Sequence, residues 1–326
     1  MSRPTWSLAF ATLLLGAALI GTIPTDTHTV VAVPTPARSP EPAPAPSPAA
    51  TVSTVPPLTE RITEAVAAAA DRGADVSLAV LDRATGSYLE SGGNQPIESA
   101  SLSKLFIAAQ LYHLDAIGQR PLSEHDHQLM RPMLESSDDD AANVLWRDLG
   151  GSNIVPDVAL RYGLTATTAP GSGAWWNTET TAADLVTFYV GLLDDRDGIG
   201  PDRSAEFLGY LRSATPLGTD GYDQRFGIPD GLPFEHVLGV KQGWMCCVAY
   251  RWIHLSTGVI REDNRYVLAV ASREHVHYSD GRQGYPDTAT TDATGDASAL
   301  HARNTVTDVV KTLFPSGAID NWAAQH

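Results

Sequence analysis

Cysteine is almost absent: the 326 residues hold two, Cys246 and Cys247, and they are neighbours. Adjacent thiols cannot staple distant segments, so a multi-bridge disulfide scaffold is excluded, as is a zinc site of spaced thiolates. Positive charge is scarce as well, with 22 Lys and Arg against 38 Asp and Glu and a net charge of −16. A surface that acidic repels phosphate backbones, so nucleic acid is not an expected partner. Lysine occurs three times, at Lys104, Lys241 and Lys311. The G-x-S-x-G turn of an α/β-hydrolase is missing. His125 with His127, and His275 with His277, form His-x-His pairs that lack a third ligand at metal-site spacing, so neither a metal nor another cofactor is expected.

What is present divides the chain into three segments. Arg3 precedes an apolar run from Trp6 to Ile23 whose charge and length suit either a cleaved export signal or a retained membrane anchor, and both readings of residues 1–23 stand. No Cys lies near this run, so a lipoprotein's thioether anchor has no attachment point. Residues 24–57 read as a linker, because nine of the 22 prolines fall between Pro34 and Pro57 and favour extended polyproline II at about 3.1 Å per residue. Residues 58–326 form the folded domain and carry all sixteen net negative charges, since Arg3 and Arg38 balance Asp26 and Glu41. Hydrophobic residues make up 43% of the chain, enough for a substantial core. An exported, extracytoplasmic monomer is expected, with tethering to the membrane through residues 6–23 if the run is retained.

Apolar spacing gives the order of elements. Leu58 to Asp71 has helical periodicity. Val76 to Leu81 and Tyr88 to Leu89 flank a turn at Ala84 to Gly86 and read as a hairpin. A helix is predicted at Leu102 to Leu114, and residues 123–215 are mostly helical, including Ala141 to Leu149 and Ala182 to Leu193. Strands are predicted at Val237 to Val240, Val248 to Leu255 and Tyr266 to Ala271, before a closing helix from Ala297 to Leu313. Strands thus bracket a helical insertion.

Three short segments carry chemistry. Ser101-Leu102-Ser103-Lys104 places a hydroxyl and an amine at i and i+3 on one helical face, the spacing of a nucleophile and its base. Its plainer reading is a helix cap at Ser99 or Ser101 with a solvated lysine. Ser137-Asp138-Asp139-Asp140 leads into a helix, where acids also oppose the macrodipole and cap the first turn. Val240-Lys241-Gln242-Gly243-Trp244 reads as a strand end, where a lysine also serves to discourage edge pairing.

In this order and on these elements, the three segments resemble the S-x-x-K, S-D-N and K-[ST]-G motifs of the serine β-lactamase and penicillin-binding superfamily, most nearly class A β-lactamases. Ala141-Ala142-Asn143 and Gly150-Gly151 extend the likeness, which covers nearly all of residues 58–326. It implies an α/β (α+β) fold of the β-lactamase/transpeptidase-like kind: an antiparallel sheet flanked by helices, plus an all-α subdomain at about 115–215. By the same resemblance Ser101 is the acylated nucleophile, Lys104 its proton acceptor and Ser137 a relay to the leaving group. Asp139, Lys241, Gln242, Gly243 and Trp244 contact substrate, and backbone N–H groups of Ser101 and Trp244 form the oxyanion hole.

Departures from the pattern are as informative. Class A enzymes carry E-x-x-x-N on a loop whose Glu activates the deacylating water. Here the stretch from Gly163 to Ala182 holds one acid, Glu179, with no Asn four residues later. Asp139 stands for an amide and Gln242 for a hydroxyl. Trp175 and Trp176 occupy the loop, either lining a cleft or simply packing. Two functions follow: a serine hydrolase acylated by β-lactams, peptidoglycan stem peptides or esters, and poor at releasing the acyl group; or a non-catalytic module binding cell-wall peptide or protein in the same cleft.

Overall fold

The structure is a computed structural model that describes residues 55–278, 280–281 and 295–322, so the export or anchor segment and nearly all of the linker lie outside the described residues. In chain order the elements are α1 (Leu58–Asp71), β1 (Ala74–Asp82), β2 (Ser87–Ser91), β3 (Ile97–Glu98), a 3-10 turn (Ala100–Leu102), α2 (Ser103–Ala116), α3 (Glu124–Glu135), α4 (Asp139–Asp148) and α5 (Ile154–Tyr162). After a 3-10 turn at Trp175–Asn177 come β4 (Glu179–Thr180), α6 (Ala182–Leu193), α7 (Pro201–Arg212), α8 (Ile228–Gly231), β5 (Leu238–Val248), β6 (Arg251–Ile260), β7 (Tyr266–His275) and α9 (Ala297–Leu313).

A five-stranded sheet ordered β2-β1-β7-β6-β5 organises the molecule, and every neighbouring pair in it is antiparallel. Side chains alternate across a strand, so a sheet covered on both faces needs apolar residues at consecutive positions. Strand β7 meets that requirement: Tyr266, Leu268 and Val270 join a core with α1 and α9, whereas Val267, Ala269 and Ala271 join one with α2, α5 and α6. Helix α1 buries Leu58, Ile62, Ala65 and Ala69, a stripe at helical spacing. Helix α2 differs, since Ser103 through Tyr112 are all buried, which makes it the central helix beneath the others. The antiparallel sheet flanked by helices is the fold expected from sequence.

One boundary differs from the sequence reading. Strands were expected at Val237 to Val240 and Val248 to Leu255, but β5 runs unbroken through Lys241-Gln242-Gly243-Trp244 to Val248. Lys241 and Gln242 are buried there, so the apolar pattern that marks a strand is interrupted by buried polar groups. The turn into β6 is made by Ala249 and Tyr250, both with positive φ, 50° and 63°. Neither is a Gly, Asn or Asp, so the usual hairpin signal is missing. Ahead of this turn Cys246 and Cys247 are paired as a vicinal disulfide.

Candidate active site

Ser101 sits in the 3-10 turn that leads into α2, at 6% exposure, after Ala100 with φ 45°. The residue between α3 and α4, Ser137, also has positive φ, 57°. Such conformations cost about 1–3 kcal/mol for a non-glycine residue and persist where surrounding structure enforces them. The enforcement is visible at β5. A Cβ added to Gly243 would lie 2.8 Å from the carbonyl oxygen of Ser99, so the strand packs directly on the turn that carries Ser101. Gly243→Ala should therefore displace that turn, costing about 1–3 kcal/mol of stability and slowing acylation at Ser101. Urea unfolding and the acylation rate, measured on the same variant, check both effects.

Five of the eight residues singled out from sequence form one hydrogen-bonded chain. Lys104 Nζ donates to Ser101 Oγ at 3.0 Å, to the Ser137 carbonyl at 2.6 Å and to Asp139 Oδ1 at 2.6 Å. It also lies 3.5 Å from Ser137 Oγ, which accepts from Lys241 Nζ at 2.6 Å. Both lysines are buried. Burial pushes the Lys104 amine below its ordinary value, outweighing Asp139, whose charge and hydrogen bond pull it up. Burial pushes Lys241 further down, and the neighbouring Lys104 charge adds to that.

The acidic run after Ser137 divides its work. Asp138 is the N-cap of α4 and accepts from the Ala141 N–H at 2.7 Å, Asp139 pairs with Lys104, and Asp140 is exposed. The capping explanation thus holds for one carboxylate and fails for the next.

A cavity of about 390 Å³ opens on Ser101 and is lined also by Asp139, Trp175, Trp176, Asp220 and Trp244 together with the disulfide. Trp244 is where sequence placed it. Lys241, Gln242 and Gly243 stand behind the wall and do not line it. The Gln242 amide donates to the Phe226 carbonyl at 2.8 Å, pointing away from the cavity, and Gly243 is the close-packing position described above. A larger cavity of about 680 Å³ lies elsewhere, between Arg212, Arg225, His236 and Glu262, without a paired nucleophile and base. Chemistry, not size, marks the site.

Both loop tryptophans line the cavity. Trp175 Nε1 donates to Asn143 Oδ1 at 2.9 Å, and its ring centre lies 4.7 Å from Lys104 Nζ. Glu179, the acid of that loop, is instead exposed in β4. Asp220 was not foreseen, because Gly218-Thr219-Asp220-Gly221 reads only as a turn. Its loop docks through the Thr219 N–H on the Ser136 carbonyl, and Asp220 accepts from Trp244 Nε1 at 3.3 Å. Burial pushes the Asp220 carboxyl above its usual range, and Asp139 adds to that. Beneath Trp244 the Tyr222 ring stacks at 4.8 Å, and the Tyr222 hydroxyl lies 2.7 Å from His254 Nε2.

His254 is buried and its pKa is pushed down to about 3 by burial and the nearby Arg303 charge. The unfolded chain, with an ordinary His at about 6.5, binds a proton that the folded state refuses, so stability is complete above about pH 6.5 and falls as pH drops towards 3. Replacing His254 with Phe should flatten this limb, and urea unfolding at pH 7, 5 and 4 measures it. An unchanged pH slope would mean that His254 takes up its proton in the folded state.

Comparison with known proteins agrees with the geometry. The profile of the β-lactamase enzyme family matches residues 127–303, more than half of the chain. A protein of Mycobacterium tuberculosis named putative lipoprotein LppW is 45% identical over 262 residues, covering 80% of this chain and 76% of its own. Among solved structures, a β-lactamase from Sphaerobacter thermophilus superposes with a TM-score of 0.59 at 17% identity, over 79% of this chain and 97% of its own. PBP-A gives 0.60 at 18% identity, over 81% and 98%.

Proposed function

The chain belongs to the β-lactamase enzyme family, and from that premise we propose that it is an exported serine hydrolase acylated at Ser101 by β-lactams, peptidoglycan stem peptides or esters. The observation that carries this reading is the 3.0 Å hydrogen bond from Lys104 Nζ to Ser101 Oγ at the wall of a cavity. In its neutral form Lys104 takes the Ser101 proton as Oγ attacks the acyl carbon, and the developing oxyanion rests on the N–H groups of Ser101 and Trp244. Ser137 gives its proton to the leaving nitrogen or oxygen and is reprotonated by Lys104, which thereby returns to its neutral form and leaves an acyl-enzyme. Lys241 holds Ser137 in place for that transfer. A variant of PBP-A has been captured as an acyl-enzyme complex with penicillin G, which supports the same first step here.

Release of the acyl group should be slow. The loop that carries a water-activating carboxylate in the resembled family has here no acid followed by Asn four residues later, and its Trp175 ring lies over Lys104. Intact mass after exposure to penicillin G and to an activated thioester tests the proposal, with Ser101→Ala as control. We expect a persistent adduct on the wild-type chain and none on the variant; labelling that survives in Ser101→Ala would overturn the assignment of the nucleophile.

The ion pair between Asp139 and Lys104, at 2.6 Å, favours a second reading. It opposes loss of the Lys104 proton and so suits a module that binds peptide without reacting. The absence of any adduct, with peptide binding retained, would select it. Export rests on the apolar run at Trp6 to Ile23, supported by the lipoprotein name of the mycobacterial relative. That run lies outside the described residues, and no described helix is long and apolar enough to cross a membrane.

A further inference from the structure

The charges that face the cavity have one sign. Lys104 and Lys241 stand behind its wall, at 0% and 2% exposure, and neither lines it. Among the described residues the charged side chains that do line it are Asp139 and Asp220. The Asp139 side chain is 50% exposed, and only one of its oxygens is taken by Lys104. Asp220 accepts from the Tyr222 N–H at 2.9 Å and from Trp244 Nε1 at 3.3 Å, which leaves lone pairs on a carboxylate that offers about four. Trp175, Trp176 and Trp244 line the same cavity, and indole rings attract cations and exclude water.

A guest carboxylate in this cavity meets two like charges with no arginine on the wall, and in a partly desolvated site that repulsion is only weakly screened. A guest cation meets carboxylate oxygens and indole faces. We propose that the substrate carries an ammonium group on an apolar chain, seated against Asp220, Asp139 and the tryptophans. This rests on acylation at Ser101, and names the class of acyl donor which that site takes.

Three amides on the same three-methylene chain separate the possibilities, the first two matched in shape. The cation is 4-(trimethylammonio)butanamide, its neutral carbon isostere is 5,5-dimethylhexanamide, and the anion is glutaramate. Titrated calorimetrically into Ser101→Ala, the cation should bind at least about tenfold more tightly than the isostere, the ratio expected of one aromatic and carboxylate contact set. The anion should bind least, and Asp220→Asn should bring the first two together. Equal binding of cation and isostere, tighter binding of the anion, or no binding of any of them overturns the inference.

The thioesters of the same acids, given to the wild-type protein, report on the reading beneath it. Adducts forming at equal rates from all three would keep the nucleophile and remove the ammonium preference. A binding preference for the cation with no adduct from any thioester would keep the preference and remove the nucleophile.

Discussion

Lys104→Met should slow acylation of Ser101 at neutral pH by about 10²–10⁴, the usual worth of a positioned general base. Methionine keeps the length and apolar stem of the side chain, so central helix α2, buried from Ser103 to Tyr112, should keep its packing. The substitution removes a buried amine and leaves behind an Asp139 carboxylate that is half exposed and can be hydrated. Folding is therefore spared more than chemistry. The pH profile identifies the cause: only the free amine accepts a proton, so the wild-type rate should rise with pH through the depressed Lys104 value, and the variant should lose that limb. Acylation rates from intact mass between pH 5 and 9 supply the measurement. A variant within twofold of wild type, with the same profile, would show that another group takes the Ser101 proton.

Much of the fold could be read from period and punctuation because the sheet is covered on both faces. Helix α1 ends where its apolar stripe ends, at Asp71, and α9 spans Ala297 to Leu313 as its spacing predicts. The full length of strand β5 escaped because its middle is built for the site and not for the core. Lys241, Gln242 and Gly243 each break the apolar pattern, one to reach Ser137, one to reach the Phe226 carbonyl and one to admit the 3-10 turn. Where a strand is bent to chemistry, periodicity stops describing it.

The site was legible to the extent that it is local in sequence. Ser101 and Lys104 share one turn of helix, so their meeting could be anticipated from spacing. Lys241 and Ser137 lie 104 residues apart, and only the pattern of a family joined them before the fold was known. Asp220 had neither advantage. It stands in a turn-forming stretch with no partner at a telling interval, and becomes part of the cavity wall only because Thr219 anchors its loop on Ser136. The orientation of Gln242 was not legible for the converse reason: position in a motif says which residue stands there, whereas the Phe226 carbonyl decides which way its side chain turns.

Asp139→Asn should accelerate acylation by penicillins by about tenfold at neutral pH. The carboxylate accepts a charge-assisted hydrogen bond from Lys104 at 2.6 Å, and such bonds are typically worth about 1.5–3 kcal/mol. Because the Asp139 side chain is half exposed, water screens part of that stabilisation, so the lower end of the range is the appropriate one. The sign follows from linkage. Asp139 favours protonated Lys104, so its neutralisation lets burial act with less opposition, the amine's value falls further, and more free base is present at pH 7. The rising limb of the rate profile should accordingly move to lower pH in the variant. A second effect acts in the same direction for penicillins, whose carboxylate would no longer approach two acids on the cavity wall, while an Asn amide can donate to an acyl carbonyl as a carboxylate cannot. The ammonium-bearing amide should respond oppositely, binding less tightly to the Asn variant. Acylation constants for penicillin G across pH 6–9, for both proteins, decide the matter. A rate unchanged or slower in Asp139→Asn, with the limb in place, would mean that Asp139 does not hold Lys104 in its protonated form.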